Sequence, residues 1–293
     1  MLKKVVLPNR EEIAFRVGGN GKETLVLVHG NLVSSKHWGN LLKRLSEKFR
    51  VIALDLRGAG ESSYYNEVES FKDWAEDIRL FCDELELKDF TILGWSMGGG
   101  IIQQFVVDNP GYAKKMILFA SIPPSGYPYP KKGTNGEFLD VYYDNKEELY
   151  QDKIQFMPMM NALENNDKEL MKSLMDLTVF NVNKPEEKEY KILIEDSLKT
   201  KNLKGAAWGA QTFNISHINN GVVDGTGEVD KINIPVLILV GEKDVVCPIP
   251  MQEFTKSQIG ENAILEIISN AGHAMHYDNE DLVVEKISNF IIN

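Results

Sequence analysis

The sequence is poorest in residues that would cross-link it or hold a metal. Cys82 and Cys247 are its only cysteines in 293 residues, too few for a disulfide framework or a cysteine metal site. The five histidines include no His-Glu-x-x-His pair, so no metal is expected. Gly98-Gly99-Gly100 is not followed by Lys-Ser/Thr, and no Gly-x-Gly-x-x-Gly marks the first strand turn. Phosphate-loop and dinucleotide readings therefore fall away, and no cofactor is expected. No apolar run has the length and purity of a membrane-spanning helix. Basic blocks are missing as well, and the net charge is −11, which argues against nucleic acid and anionic membrane as partners. Residues 1–12 lack the apolar centre of a secretory signal. Together these absences predict a cytoplasmic protein and exclude more than they identify.

What is present is an alternation of buried strands and amphipathic helices. Residues 2–7 and 12–17 read as an edge hairpin. Ala263–Ile268, interrupted by Glu266, reads as the last strand, while Thr24-Leu25-Val26-Leu27-Val28, Val51-Ile52-Ala53-Leu54, the run ending at Gly94, Met116–Ala120 and Pro235–Val240 are apolar without alternation. That pattern belongs to strands covered on both faces of a parallel sheet. Residues 38–48, 70–87, the segment after Gly98, 250–258 and 279–291 carry helical spacing. Strand–helix alternation implies right-handed parallel crossovers, with ligands at the carboxyl ends of the strands. From Pro123 to about Gly227 the rhythm stops, and Lys/Glu-rich helical segments at roughly 146–156, 160–180, 186–201 and 203–213 follow a proline-rich exit. The expected organisation is a core of residues 1–122 and 229–293, with a helical cap, 123–228, inserted after strand 6 of an eight-stranded, mostly parallel sheet.

The chemistry centres on Gly94-Trp95-Ser96-Met97-Gly98. A serine forced out of a strand-to-helix turn needs an unusual backbone and small residues two positions before and after it. The bare Gly-x-Ser-x-Gly pattern arises by chance in roughly one chain in ten of this length, so its partners decide. Asp244 and His273 follow in chain order, each just past a predicted strand. A serine hydroxyl is a weak nucleophile until a base takes its proton. His273 has the titration range for that base, and Asp244 would fix its tautomer and stabilise its cation. The oxyanion formed on the attacked carbonyl needs donors. Met97 N–H, free at a helix start, and Asn31 N–H, in the loop after His29-Gly30, are the candidates. Asp55 and His29 read as braces of their loops, and His37 as a surface or supporting residue.

These pieces resemble the α/β-hydrolase superfamily over nearly the whole chain. They are His29-Gly30-Asn31 with Trp38, Asp55 to Ser62, Gly94 to Gly99, Gly241-Glu242-Lys243-Asp244, and Gly272-His273. Within it, Gly-Trp-Ser-Met-Gly-Gly, the His29–Ser35 opening and Phe213–His217 look similar to intracellular short-chain polyhydroxyalkanoate depolymerases. The resemblance implies an α/β fold with a cap and a Ser96–His273–Asp244 triad. It also implies acyl-enzyme hydrolysis of carboxylic esters, with short-chain acyl or 3-hydroxyacyl groups or hydroxyacyl oligomers as substrate. Trp95, Cys247, Met157, Met160, His217 and His276 are the candidates for the pocket wall. Of these, Cys247 has the rival reading of a small buried hydrophobe, and His217 that of an ordinary cap residue. An acyltransferase, a peroxide-using relative, a C–C hydrolase and a non-catalytic receptor remain open. So does the choice between monomer and homodimer.

Overall fold

The computed structural model describes residues 1–133 and 135–293. Eight strands form one sheet: β1 (Leu2–Val6), β2 (Glu12–Gly18), β3 (Thr24–Val28), β4 (Arg50–Leu54), β5 (Phe90–Trp95), β6 (Ala113–Phe119), β9 (Val236–Gly241) and β10 (Ala263–Ile268). Their order is β1-β2-β4-β3-β5-β6-β9-β10. The β1–β2 and β2–β4 pairs are antiparallel, and every pair from β4 to β10 is parallel. The sheet is thus the mostly parallel, eight-stranded one expected.

Period-two alternation divides each central strand between two cores. Val26 and Val28, with Ile92, Met116 and Leu118, pack under α2 (Phe71–Glu84) and α3 (Met97–Asp108). Leu25 and Leu27, with Leu93, Ile117 and Phe119, face the opposite way toward α1 (Gly39–Ser46) and α11 (Glu280–Ile292). All these strand residues are buried. Burial on both faces is why the strands carry uninterrupted apolar runs.

Between β6 and β9 the chain leaves the sheet. It forms a small antiparallel hairpin, β7 (Pro130–Lys132) and β8 (Phe138–Tyr142). Five helices follow: α4 (Lys146–Tyr150), α5 (Met157–Glu164), α6 (Lys168–Leu177), α7 (Glu187–Ser197) and α8 (Leu203–Thr212). Apart from that short hairpin the insertion is helical, as expected. β8 is short and largely exposed although four of its five residues are apolar or aromatic. The helix expected over 160–180 is two helices: Asn166 takes φ 49°, and Asp167 caps α6 by accepting from Leu170 N–H at 2.9 Å. The helix expected over 146–156 stops at Tyr150. The remaining helices, α9 (Ile249–Ile259) and the short α10 (Met275–Asp278), follow β9 and β10.

Candidate active site

Ser96 sits between β5 and α3 with φ 56° and ψ −120°, a conformation an L-residue adopts only under constraint. The constraint is visible. Ser96 N–H donates to Phe119 O at 2.9 Å, and Ser96 O accepts from Gly99 N–H at 2.9 Å and Ile122 N–H at 3.1 Å. A Cβ on Gly94 would lie 2.4 Å from Gly98 O, and one on Gly98 2.5 Å from His29 O. The two glycines therefore permit the close approach of β5, α3 and the loop after β3.

That loop passes directly over the serine. A Cβ on Gly30 would stand 3.0 Å from Ser96 Cβ. Its start is braced by His29, whose Nδ1 lies 2.8 Å from Gly30 O and whose Nε2 accepts from Leu56 N–H at 2.9 Å. Its far end is held by Asp55, which accepts from Ser35 N–H at 2.8 Å and Glu61 N–H at 3.0 Å. Asp55 and His29 thus tie loops together rather than face the cavity.

His273 and Asp244 meet at the ends of β10 and β9. His273 Nδ1 lies 2.9 Å from Asp244 Oδ2 and 3.1 Å from Oδ1. Asp244 Oδ1 also accepts from Val246 N–H at 2.8 Å and Cys247 N–H at 2.9 Å. Burial pushes the Asp244 carboxyl up, but the His273 charge and hydrogen bond, with those two amides, outweigh it and hold the group below the ordinary aspartate value. Trp95 Nε1 donates to His273 O at 3.1 Å. Asn181, from the insertion, bridges both loops: its Nδ2 donates to Lys243 O at 2.9 Å and its Oδ1 accepts from His273 N–H at 3.4 Å.

Ser96, His273, Asn31 and Met97 share one cavity of about 270 Å³, just below the usual span of ligand pockets, about 300–1,000 Å³. Leu32, Ile122, Met159, Leu174, Met175 and Val179 make its wall largely apolar, with Tyr127, Tyr129, Gln155 and Cys247 completing it. Met97 opens α3, where the first N–H groups have no partner in the helix. Cys247 is fully buried against Ser96; burial, aided by the Asp244 charge, pushes its thiol well above the ordinary range, so it stays a neutral wall atom.

Five residues expected in the wall lie elsewhere. Trp95 and His276 are buried behind the site, packed with Trp38 and Phe119 in one aromatic cluster. His276 Nε2 points to His37 O at 2.9 Å, away from the cavity. His217 is on the surface, paired with Asp230 at 2.9 Å. Met157 and Met160 lie on α5 beside Met159, but the 3.6-residue turn aims only Met159 at the cavity. His37, read as a surface or supporting residue, is buried, with Nε2 3.2 Å from Ser197 Oγ on α7. Among the described residues no group of three or more His, Cys, Asp or Glu is placed to hold a metal.

With this geometry in hand, known proteins supply a frame. A family model for the alpha/beta hydrolase fold matches residues 23–280. A putative non-heme chloroperoxidase of Synechocystis is 24% identical over 275 residues, covering 92% of this chain and 91% of that protein. Proline iminopeptidase PfmaB of Pestalotiopsis fici is 25% identical, covering 95% of each. Among solved structures, an esterase from Exiguobacterium antarcticum superposes with a TM-score of 0.76 at 22% identity over 100% of both chains. A bromoperoxidase from Bacillus anthracis does so with 0.76 at 21%, again over 100% of both.

Proposed function

The chain belongs to the α/β-hydrolase family, and from that premise we propose that it is a serine hydrolase that cleaves small carboxylic esters through an acyl-enzyme. The observation that carries this reading is Ser96. It is held at φ 56° in the lining of the cavity that His273 also lines, and His273 is paired with Asp244 at 2.9 Å.

In the proposed mechanism Ser96 Oγ attacks the ester carbonyl while His273 takes its proton. Asp244, a carboxylate at neutral pH, orients the ring and stabilises the imidazolium. Met97 and Asn31 N–H receive the negative charge that develops on the carbonyl oxygen, and each such donor contributes about 2.7–4 kcal/mol in comparable sites. His273 then protonates the departing alcohol. A water, deprotonated by the same ring, releases the acid and restores the serine. Residues 123–228 act as a cap whose Met159, Leu174, Met175 and Val179 bound the acyl group. The cavity volume and apolar wall favour short acyl chains.

The test is hydrolysis of p-nitrophenyl esters from acetate to octanoate by the wild type and Ser96→Ala. A short-chain optimum that vanishes in Ser96→Ala supports the reading. Equal rates for the two proteins on every ester would sink it. Hydroxybutyrate oligomers form a further arm, since the sequence also suggests hydroxyacyl substrates.

A second reading keeps the site and changes the acceptor. Two of the relatives are a chloroperoxidase and a bromoperoxidase by name, so hydrogen peroxide could replace water in deacylation. The acyl–Ser96 bond would break, a peracid would leave and Ser96 would regain its proton. Peracid formed from acetate ester and peroxide by the wild type, and not by Ser96→Ala, would support that acceptor.

A further inference from the structure

The loop expected to carry the Asn31 donor is held from two sides, and one of them is the insertion. Asp196 lies near the end of α7, yet only 2% of it is exposed. Its Oδ2 accepts from Ser34 Oγ in a short hydrogen bond. Its Oδ1 accepts from Lys36 Nζ at 2.6 Å, and Lys199 Nζ stands 3.6 Å away. The neighbouring Ser197 Oγ contacts His37 Nε2 at 3.2 Å. Every one of these partners except Lys199 belongs to residues 34–37, the segment directly following Asn31, Leu32 and Val33. Lys199 extends the anchor back to the core by pairing with Glu61.

Residues 31–33 are thus suspended between two fixed ends. His29 pins the near end to Leu56 N–H. Asp55 and Asp196 pin the far end, one from the sheet and one from the insertion. In between, Leu32 takes φ 58°, which a leucine adopts only when its surroundings impose it. A loop in that conformation relaxes when one of its ties is cut, and a relaxed loop moves the Asn31 N–H.

We propose that Asp196 is a positioning residue for this site: through Ser34 it holds the oxyanion loop from the insertion, so that α7 contributes to transition-state binding without lining the cavity. The inference rests on the serine-hydrolase reading above. It distinguishes a donor held in place from a helix that merely packs. A merely packed α7 affects how much protein is folded. A positioned donor affects how much more tightly the transition state is bound than the substrate.

The experiment compares Asp196→Asn, Ser34→Ala and Ser34→Thr with the wild type and Ser96→Ala on the best p-nitrophenyl ester. It also measures inhibition by a trifluoromethyl ketone, whose hemiketal with serine carries an oxyanion, and by the matching methyl ketone. Asp196→Asn and Ser34→Ala should each lose about 10- to 100-fold in kcat, short of the full loss of a donor, about 10²–10³-fold. KM should stay within about threefold, trifluoromethyl ketone affinity should fall in step with kcat, and methyl ketone affinity should hold. Ser34→Thr, which keeps the hydroxyl, should recover most of the rate. If both variants melt like the wild type and keep its kcat, the proposal is wrong. It is equally wrong if kcat falls while the two ketones lose affinity alike. Should Asp196→Asn fail to fold, Ser34→Ala and Ser34→Thr decide. Wild-type activity in Ser96→Ala would instead refute the serine-hydrolase reading itself.

Discussion

Gly30→Ala separates the packing of the site from the packing of the fold. Gly30 does not hold a positive φ, so alanine is permitted by the backbone. The added methyl would lie 3.0 Å from Ser96 Cβ, 3.1 Å from Trp95 O and 3.6 Å from Ser96 Oγ. Carbon pairs settle at about 3.5–4.0 Å, so roughly half an ångström has to be found. Ser96 has little to give, because its N–H and its carbonyl are both engaged. The displacement therefore falls on the loop between Gly30 and Asn31, and widens the gap between Ser96 and the proposed donor at Asn31. Productive geometry tolerates about 0.5 Å, and a misplacement of about 1 Å costs about 10²-fold. A fall in kcat of about tenfold, about 1.4 kcal/mol of barrier, follows.

Overpacking costs stability as well, about 1–3 kcal/mol. Gly98→Ala is the control on that side. Its methyl meets His29 O and Val28 O at 2.5 Å each, backbone atoms that can move only with β3. Gly98→Ala should therefore sit at or beyond the upper end of that range, and Gly30→Ala near the lower. Paired thermal melts and initial rates on a short ester read both quantities. A wild-type kcat in Gly30→Ala would refute the argument, because it would mean that the loop yields without moving its donor. A larger loss of melting temperature in Gly30→Ala than in Gly98→Ala would refute the division between site and fold.

Two further outcomes follow from the same geometry. Burial pushes the imidazoles of His37 and His276 down to about 3 and about 4; Asp196, Lys36 and His29 face the first, His273 and the His37 carbonyl the second. A lowered folded pKa means that the stability from the neutral rings is complete above the unfolded value of about 6.5 and is lost as pH falls toward about 4. Each ring adds a slope of at most about 1.4 kcal/mol per pH unit in that window. Denaturant melts from pH 7.5 to 4.5 should show the fall, to which His29, likewise pushed down by burial, adds; His276→Asn should remove about a third of it, and an unchanged slope in that variant would contradict the assignment. Met175, 1% exposed and in the cavity wall, should shift the acyl optimum toward longer chains when changed to Ala, at about 2–5 kcal/mol of stability. Met160→Ala, outside the wall, should leave the optimum where it is.

Much of the fold was legible because its central strands are covered on both faces, so the sequence writes them as unbroken apolar runs. Thr24–Val28 and Val236–Gly241 are the plainest cases. The elbow was legible for a related reason: two backbone approaches near 2.5 Å demand glycine at Gly94 and Gly98. The insertion was harder to read. Its hairpin lies on the surface, and its helices break at polar caps such as Asp167 that resemble any other solvated turn. Wall membership was harder still, since Met157, Met159 and Met160 are equivalent in composition and differ only in phase on α5.

The supporting residues were out of reach for a different reason. Asp196 reads as one more acid on a Lys/Glu-rich helix, and its partners Ser34 and Lys36 lie 162 and 160 positions away. Nothing local marks it, because a charge that will be buried looks the same in sequence as one that will be solvated. The distinguishing quantity is the partner set: an aspartate at 2% exposure is tolerable only with its oxygens occupied. Here the hydroxyl and ammonium that occupy them come from the segment beside Asn31. The same logic separates His273 from His276, three positions apart. One ring is matched by a carboxylate and opens on the cavity; the other is matched by a carbonyl and closed in by aromatics. Chemistry in this chain is therefore assigned by what each buried polar group is paired with, whether the pairing lies within the core, as for His273 and Asp244, or joins the insertion to it, as for Asp196 and Ser34.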